Sequence, residues 1–435
     1  MRRSAFGELK STGLLLSTFL LFAGLCAALP AAAQPTLTLY WRGLDEEIQG
    51  LQRVVDAWGA ERGVSVEVIS SSSLSWDEYY DRFAIMAASG VEFDIALLDM
   101  ASVSLGASGA LVDLSPYIER DGLWQATVPA AFRAFSANGK TYGFPYATFP
   151  EVMFYRPSLV DSAGLARPAT AWHSDAWTWD EFVESAVAMT RDTNGDGLVD
   201  QWGYDLAEQT EWVIYAFGAR WIDPETGEFD ITDPRLLEAL YARRMLHSEL
   251  HVSHQPGDAS HGGPGWLPFA GGRVGLKSAG IWLFERLYAA GWDWNIAAMP
   301  KASTRASMTT INAFGIGRTS RNPDLAWELI KYLTVDPAGS IAFVSAGVRG
   351  LPIGPQGQRE FLDTQRSKDA EIHFDTIIEA LDFAVIDPFR LSVSYSDLME
   401  LRNNTVDRAI AGEMPIETAL AEMKRLGDPL IARER

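Results

Sequence analysis

Between Thr36 and Leu98 the chain alternates strand-like and helix-like patterns, and that succession leaves few folds open. Leu37 to Trp41 alternates as a strand, and Ile48, Leu51, Val55 and Trp58 then recur at helical spacing and stop before Gly63. Val64, Val66 and Val68 share one face of a second strand. Ser75 and Glu78 stand at capping-box spacing ahead of the amphipathic run WDEYYDRFAIMAASG, and Phe93 to Leu98 reads as a buried strand. A strand, helix, strand, helix, strand order implies right-handed crossovers in a parallel sheet, with ligand groups presented at the carboxyl ends of the strands. Those ends are Trp41 with Arg42, Ser71 to Ser73, and Asp99.

The N-terminus reads as an export signal. Arg2, Arg3 and Lys10 precede an apolar run from Leu14 to Leu29, and Ala31-Ala32-Ala33 supplies the small residues a signal peptidase accepts, so residues 1–33 are expected to be cleaved after Ala33. The apolar run is shorter than the roughly 20 residues that cross a bilayer. Cys26 is the single cysteine and leaves with the signal, so no disulfide is expected in the mature chain. Stability must then come from a core, which 435 residues with 47% apolar content can build in two or more lobes. A net charge of −21 makes nucleic acid an unsuitable partner.

Thr178 and Glu181 form a second capping box, and the helix they open runs into a loop with Asp192, Asn194, Asp196 and Asp200 at positions 1, 3, 5 and 9 of an EF-hand-like pattern. Gly197 holds position 6, but position 12 is Gly203, so the bidentate glutamate is missing. Two readings stand: a structural calcium site, or a turn held by its own side chains. Asp233-Pro234 and Asn322-Pro323 each open a helix. His247, His251, His254 and His261 gather within a short segment, which reads as an exposed helix end rather than a metal site.

Five segments in order, KTYGFPYATFPEVMFYRPSLVDSAGL, TWDEFVESAVAMTRDTNGDGLVDQWGY, FAGGRVGLKSAGIWLFERL, INAFGIGRTSRNPDLAWELIKYLT and MPIETALAEMKR, resemble the extracellular solute-binding proteins of ABC importers. The resemblance is greatest to the sugar-binding group that includes maltose-binding protein. It implies an α/β, periplasmic binding protein-like fold with two lobes, a central cleft and crossing segments. The lobes would be 34–147 with 311–347, and 148–310 with 348–435. It also implies a periplasmic monomer that captures a sugar and delivers it to a membrane permease, with no catalysis and no required cofactor. The family's cleft tryptophan falls on Trp282, although Gly280-Ile281-Trp282 lacks the proline of the family's GPW motif.

Sugars present apolar C–H faces and rings of hydroxyls, so a site needs aromatic platforms and a few oriented polar groups. Candidate ligand residues are Trp41 and Arg42 after the first strand, Asp99 after the third, and Tyr146 and Thr148 on the first crossing segment. Glu211, Trp212, Trp282, Phe314, Arg349 and Tyr395 complete the set. Trp58, Trp179 and Trp327 sit in helical patterns and are assigned to packing. The competing functional class is a secreted carbohydrate-active hydrolase with two carboxylates. A third reading keeps the receptor fold but replaces the sugar with a glycerol phosphate or a metal chelate. A phosphate would want several basic groups, of which only Arg42 and Arg349 stand out in the sequence.

Overall fold

The computed structural model describes residues 34–432, apart from 72, 73, 75, 128, 207–210, 224, 225, 254–268 and 270. The export segment, the Ser75 cap, His254 and His261 lie outside the described residues. Strand β1 (Thr36–Trp41) runs parallel to β2 (Ser65–Ser70) and to β3 (Ile95–Asp99), with α1 (Asp45–Arg62) and α2 (Trp76–Ser89) as the crossovers. Helix α1 stops where the periodicity does: Gly63 takes φ of 66°, a left-handed conformation that glycine adopts without a steric penalty.

A two-stranded hairpin, β4 (Ser136–Ala137) and β5 (Lys140–Thr141), leads into β6 (Phe144–Tyr155). The later strands are β7 (Trp202–Asp205), β8 (Val274–Gly280), β9 (Asn295–Ala297), β10 (Ser307–Ile316), β11 (Leu351–Pro352) and β12 (Ala384–Val385). Across the sheet the order is β2-β1-β3-β10-β6-β8-β7, with β9 and β11 pairing on β6 and β12 on β10. The sheet mixes directions: β10 is antiparallel to β3 and β6, and β6 is antiparallel to β8. Both signatures of helix initiation hold, since Glu181 accepts the Thr178 N–H at 2.7 Å and Asp233 accepts the Arg235 N–H at 2.9 Å.

Strand β6 is the shared member of the two lobes. It pairs with β10 through Pro150↔Thr309 and, from Glu151↔Gly280 onward, with β8. Each lobe has its own aromatic core: Trp58, Tyr79, Phe83 and Phe93 in the first, Trp172, Phe182, Tyr204 and Trp212 in the second. Trp58 and Trp327 are buried packing residues and Trp179 is half-buried, consistent with their helical spacing. A cleft between the lobes is therefore framed by strand ends on one side, by β6 and β10 at its floor, and by late helices on the other side.

Candidate functional site

A cavity of about 720 Å³ occupies that cleft. Its first wall is aromatic. Trp41, at the end of β1, lines the cavity, is 2% exposed and packs its ring 5.6 Å from Tyr146 and 6.0 Å from Phe314. Arg42 donates its Nε–H to the Leu74 carbonyl at 2.9 Å and lies 4.6 Å from the centre of the Trp76 ring. Trp76 lines the cavity and stacks on Tyr80 at 5.7 Å and 20°, while the Tyr80 hydroxyl donates to Asp99. Asp99 both lines the cavity and caps the turn after β3, accepting the Ala101 N–H at 2.9 Å. Burial pushes its carboxyl up, and Arg390 at 3.6 Å partly offsets that.

The floor depends on a break in strand register. Pro145 pairs with Ala313 and Ala147 with Asn312, so Tyr146 is an extra residue opposite β10, a β-bulge. Beyond it the alternation is inverted, and Phe149 and Glu151 line the cavity where Thr148 was expected. Thr148 pairs with Ile311 and Leu351 and points away from the cavity. Trp282 follows β8 through a tight turn and stands 6.1 Å from Phe149. A β-carbon at Gly280 would sit 1.8 Å from the Trp282 ring, so the glycine is what allows the indole to fold back over the strand end.

The second wall is charged and internally paired. Glu211 accepts hydrogen bonds from Arg243 at 3.1 Å, Arg402 at 3.1 Å and the Trp221 indole N–H at 3.0 Å. Burial alone would raise its carboxyl, but the two guanidinium groups hold it below the usual glutamate value. Asp407 stands 3.8 Å from Arg243 and 4.0 Å from Arg402. The spacing from Arg402 to Asp407 is closed by a π-turn over Asn403–Asp407, and a second one, Met245–Glu249, places His247 in the cavity wall. The half-buried His247 thus departs from the exposed helix end read from the sequence; burial and Arg243 push its pKa down. Arg349 pairs with Glu47, whose other oxygen accepts the Leu44 N–H at 3.0 Å at the start of α1. Tyr395 carries Arg390 over its ring at 5.6 Å.

Trp41, Arg42, Asp99, Tyr146, Glu211, Trp282, Arg349 and Tyr395 are thus gathered around one cavity. Trp212 and Phe314 are not: each is 0% exposed, Trp212 among Trp179 and Phe182, and Phe314 behind Trp41 and Tyr146. Both sit next to cavity residues but face their lobe cores. Sequence reasoning missed Trp76, Phe149, Glu151, Arg243, Asp387, Arg390, Arg402 and Asp407, all of which line the cavity. The arginine count exceeds the expectation of two, yet Glu211, Asp99 and Glu47 already engage Arg243, Arg402, Arg390 and Arg349.

In the Asp192 to Asp200 loop the polar oxygens are turned onto the loop itself. Asp192 accepts the N–H groups of Gly195 and Gly197 at 2.7 Å each, Asn194 accepts that of Asp196 and Asp196 that of Leu198, both at 2.8 Å. Asp200 accepts the Thr193 N–H and hydroxyl at 2.8 Å each. The Gly203 N–H, at loop position 12, donates to Thr190 Oγ1 at 3.0 Å, so the last ligand position carries no carboxylate. Among the described residues, no group of three or more His, Cys, Asp or Glu side chains is arranged to hold a metal ion.

Two α/β lobes around a polar and aromatic cavity define a ligand-capturing receptor of the periplasmic binding protein class. The profile of the bacterial extracellular solute-binding proteins matches residues 44–339, and the chain belongs to that family. Among its relatives, the mannitol-binding protein of Pseudomonas aeruginosa is 27% identical over 354 residues, covering 76% of this chain and 77% of the relative. The solved ABC substrate-binding protein Lmo0181 of Listeria monocytogenes, in complex with cycloalternan, superposes with a TM-score of 0.75 at 20% identity, covering 90% and 97% of the two chains. A solute-binding protein of Thermotoga lettingae bound to α-D-tagatose superposes at 0.73 with 22% identity, covering 91% and 100%. Among the described residues no helix is long and apolar enough to cross a membrane.

Proposed function

We propose that this protein captures an uncharged polyhydroxylated ligand, a sugar or sugar alcohol, and delivers it to the permease of an ABC importer without chemically changing it. The observation that carries this reading is the pairing of an aromatic wall with a wall whose arginines are already neutralised by carboxylates. Aromatic faces suit C–H surfaces, and paired guanidinium and carboxylate groups offer fixed donors and acceptors to hydroxyls without demanding a ligand charge. The names of the mannitol-binding relative and the tagatose-bound structure point the same way. Ligand touching both walls binds the closed lobes best and so shifts the lobes toward closure. The reading includes export with cleavage after Ala33, a monomeric state and lobe boundaries near 147, 310 and 347.

The test is a thermal-shift screen of the chain from Gln34 onward against mono-, di- and oligosaccharides, sugar alcohols and glycerol phosphates, each with calcium and with chelator. A ligand that binds only the native state raises Tm. A rise confined to neutral polyols, with no product formed, is the expected result; a response to phosphates alone, or turnover of an oligosaccharide, would overturn it. A calcium-dependent rise abolished by Asp192→Ala would assign the ion to the Asp192, Asn194, Asp196 and Asp200 loop. No rise with calcium would leave that loop as a self-held turn.

A further inference from the structure

Among the described acids that line the cavity, Glu151 and Asp387 have no ion pair, and of these Asp387 at least accepts the Phe389 N–H at 2.9 Å as the cap of its turn. Glu151 is 3% exposed, sits on β6 where the strand leaves β10 for β8, and lines the cavity with a buried Oε2 that has no hydrogen-bond partner among the described residues. Its backbone carbonyl accepts from the Ser307 hydroxyl at 2.8 Å, which fixes the strand without engaging Oε2. The ionisable groups that face it are Arg390, Lys277, Glu211 and Tyr204. Each is held elsewhere: Lys277 by Asp205 at 3.0 Å, Arg390 by Asp99 at 3.6 Å, Glu211 by Arg243 and Arg402, and the Tyr204 hydroxyl by Ser278 at 2.7 Å. No cation of the described residues comes within ion-pair distance of Glu151.

A buried carboxylate without a counterion is costly, and the cheaper state is the neutral acid. We propose that Glu151 meets the ligand as an uncharged carboxylic acid, donating its proton in a hydrogen bond to a ligand oxygen and accepting one from a ligand hydroxyl. This rests on the sugar or polyol reading and makes Glu151 a determinant of it: the neutral acid offers the same donor-and-acceptor pair as a hydroxyl, whereas the carboxylate only accepts. Burial pushes the Glu151 carboxyl well above the usual glutamate value, in agreement with the geometry. A ligand carrying an ammonium group would instead draw the ionised form.

Two measurements separate these outcomes. The first needs no ligand: the Tm of wild type and Glu151→Gln is compared from pH 5 to pH 8. A raised folded-state pKa means that stability is fully present below the unfolded pKa and is lost as pH rises toward the folded one. The folding equilibrium constant of wild type, relative to Glu151→Gln, is expected to fall as pH rises above the unfolded value, by up to about tenfold per pH unit, and to level off once the folded-state value is passed. Parallel profiles would show that Glu151 is ionised in the free protein and overturn the proposal. The second is titration calorimetry with mannitol, mannobiose and maltose. Glu151→Ala is expected to weaken the binding of whichever probe wild type takes up by about tenfold, and Glu151→Gln to restore most of that loss. Equal weakening by both variants would show that the carboxylate is the binding form. Diverging stability profiles with no binding of any probe by wild type would support the neutral acid and reject a sugar as its partner, a failure of the functional reading rather than of the protonation state.

Discussion

The two walls of the cavity are built by opposite strategies. The aromatic wall is local: Trp41, Arg42, Trp76 and Asp99 all come from the first strand, helix and strand units, close to the strand ends where a parallel sheet presents its ligand groups. The charged wall is assembled from Glu211, Arg243, Asp387, Arg390, Arg402 and Asp407, scattered over three later segments and meeting only after folding. A wall built on one sheet edge tolerates loss of one ring, because the strands beneath remain packed. A wall whose members neutralise one another does not tolerate loss of one charge, because its partners are then left buried and unpaired.

The largest expected effect breaks the charged wall. Glu211→Ala removes the carboxylate shared by Arg243 and Arg402, and about 3–5 kcal/mol of stability should go with it, read as a drop in the denaturation midpoint. The wild-type protein should show the same dependence on acidification: with the folded-state value of Glu211 depressed, its contribution is present above about pH 4.5 and lost as pH falls below that. Equal midpoints for variant and wild type would show the network to be dispensable. On the aromatic side the ring to remove is Trp282 of the cavity floor: Trp282→Ala should weaken mannitol or mannobiose binding by about tenfold, near 1.4 kcal/mol, while leaving Tm within about two degrees. Unchanged affinity in calorimetry would remove Trp282 from the site. The smallest effect sharpens the contrast. If the charged wall is neutralised from within and the ligand is uncharged, raising NaCl from about 50 to about 500 mM should change the affinity by less than about threefold. A steep salt slope would mean that the arginines meet ligand charge.

The same contrast explains what the sequence could convey. Alternation over Leu37 to Trp41 and helical spacing over Ile48 to Trp58 encode a single strand and helix each, so the first lobe and its strand ends were legible. Tyr146 was legible by position on the crossing strand, but Thr148 was the wrong continuation because the bulge shifts the phase by one residue, and nothing in GFPYATFPE announces the extra residue. Trp212 lies one residue from Glu211 and Phe314 two from Asn312, both cavity positions, on elements whose rotation about their axis is set by packing, here by Trp179 and Phe182 and by Phe343. Arg243, Arg390 and Arg402 carried no local signal, since an arginine in a helical pattern reads the same whether it meets solvent or a buried glutamate many residues away.

Gly280 is not among the residues that line the cavity, yet any side chain there would collide with the indole of Trp282. In a survey of natural variants or a saturation scan scored by growth on the transported compound, this glycine would therefore register as an essential recognition residue, while a scan scored by protein abundance would hardly notice it. The disagreement between two such screens is a way to find positions that hold a neighbour's side chain in place, and it would be invisible to any list drawn up by proximity to the ligand.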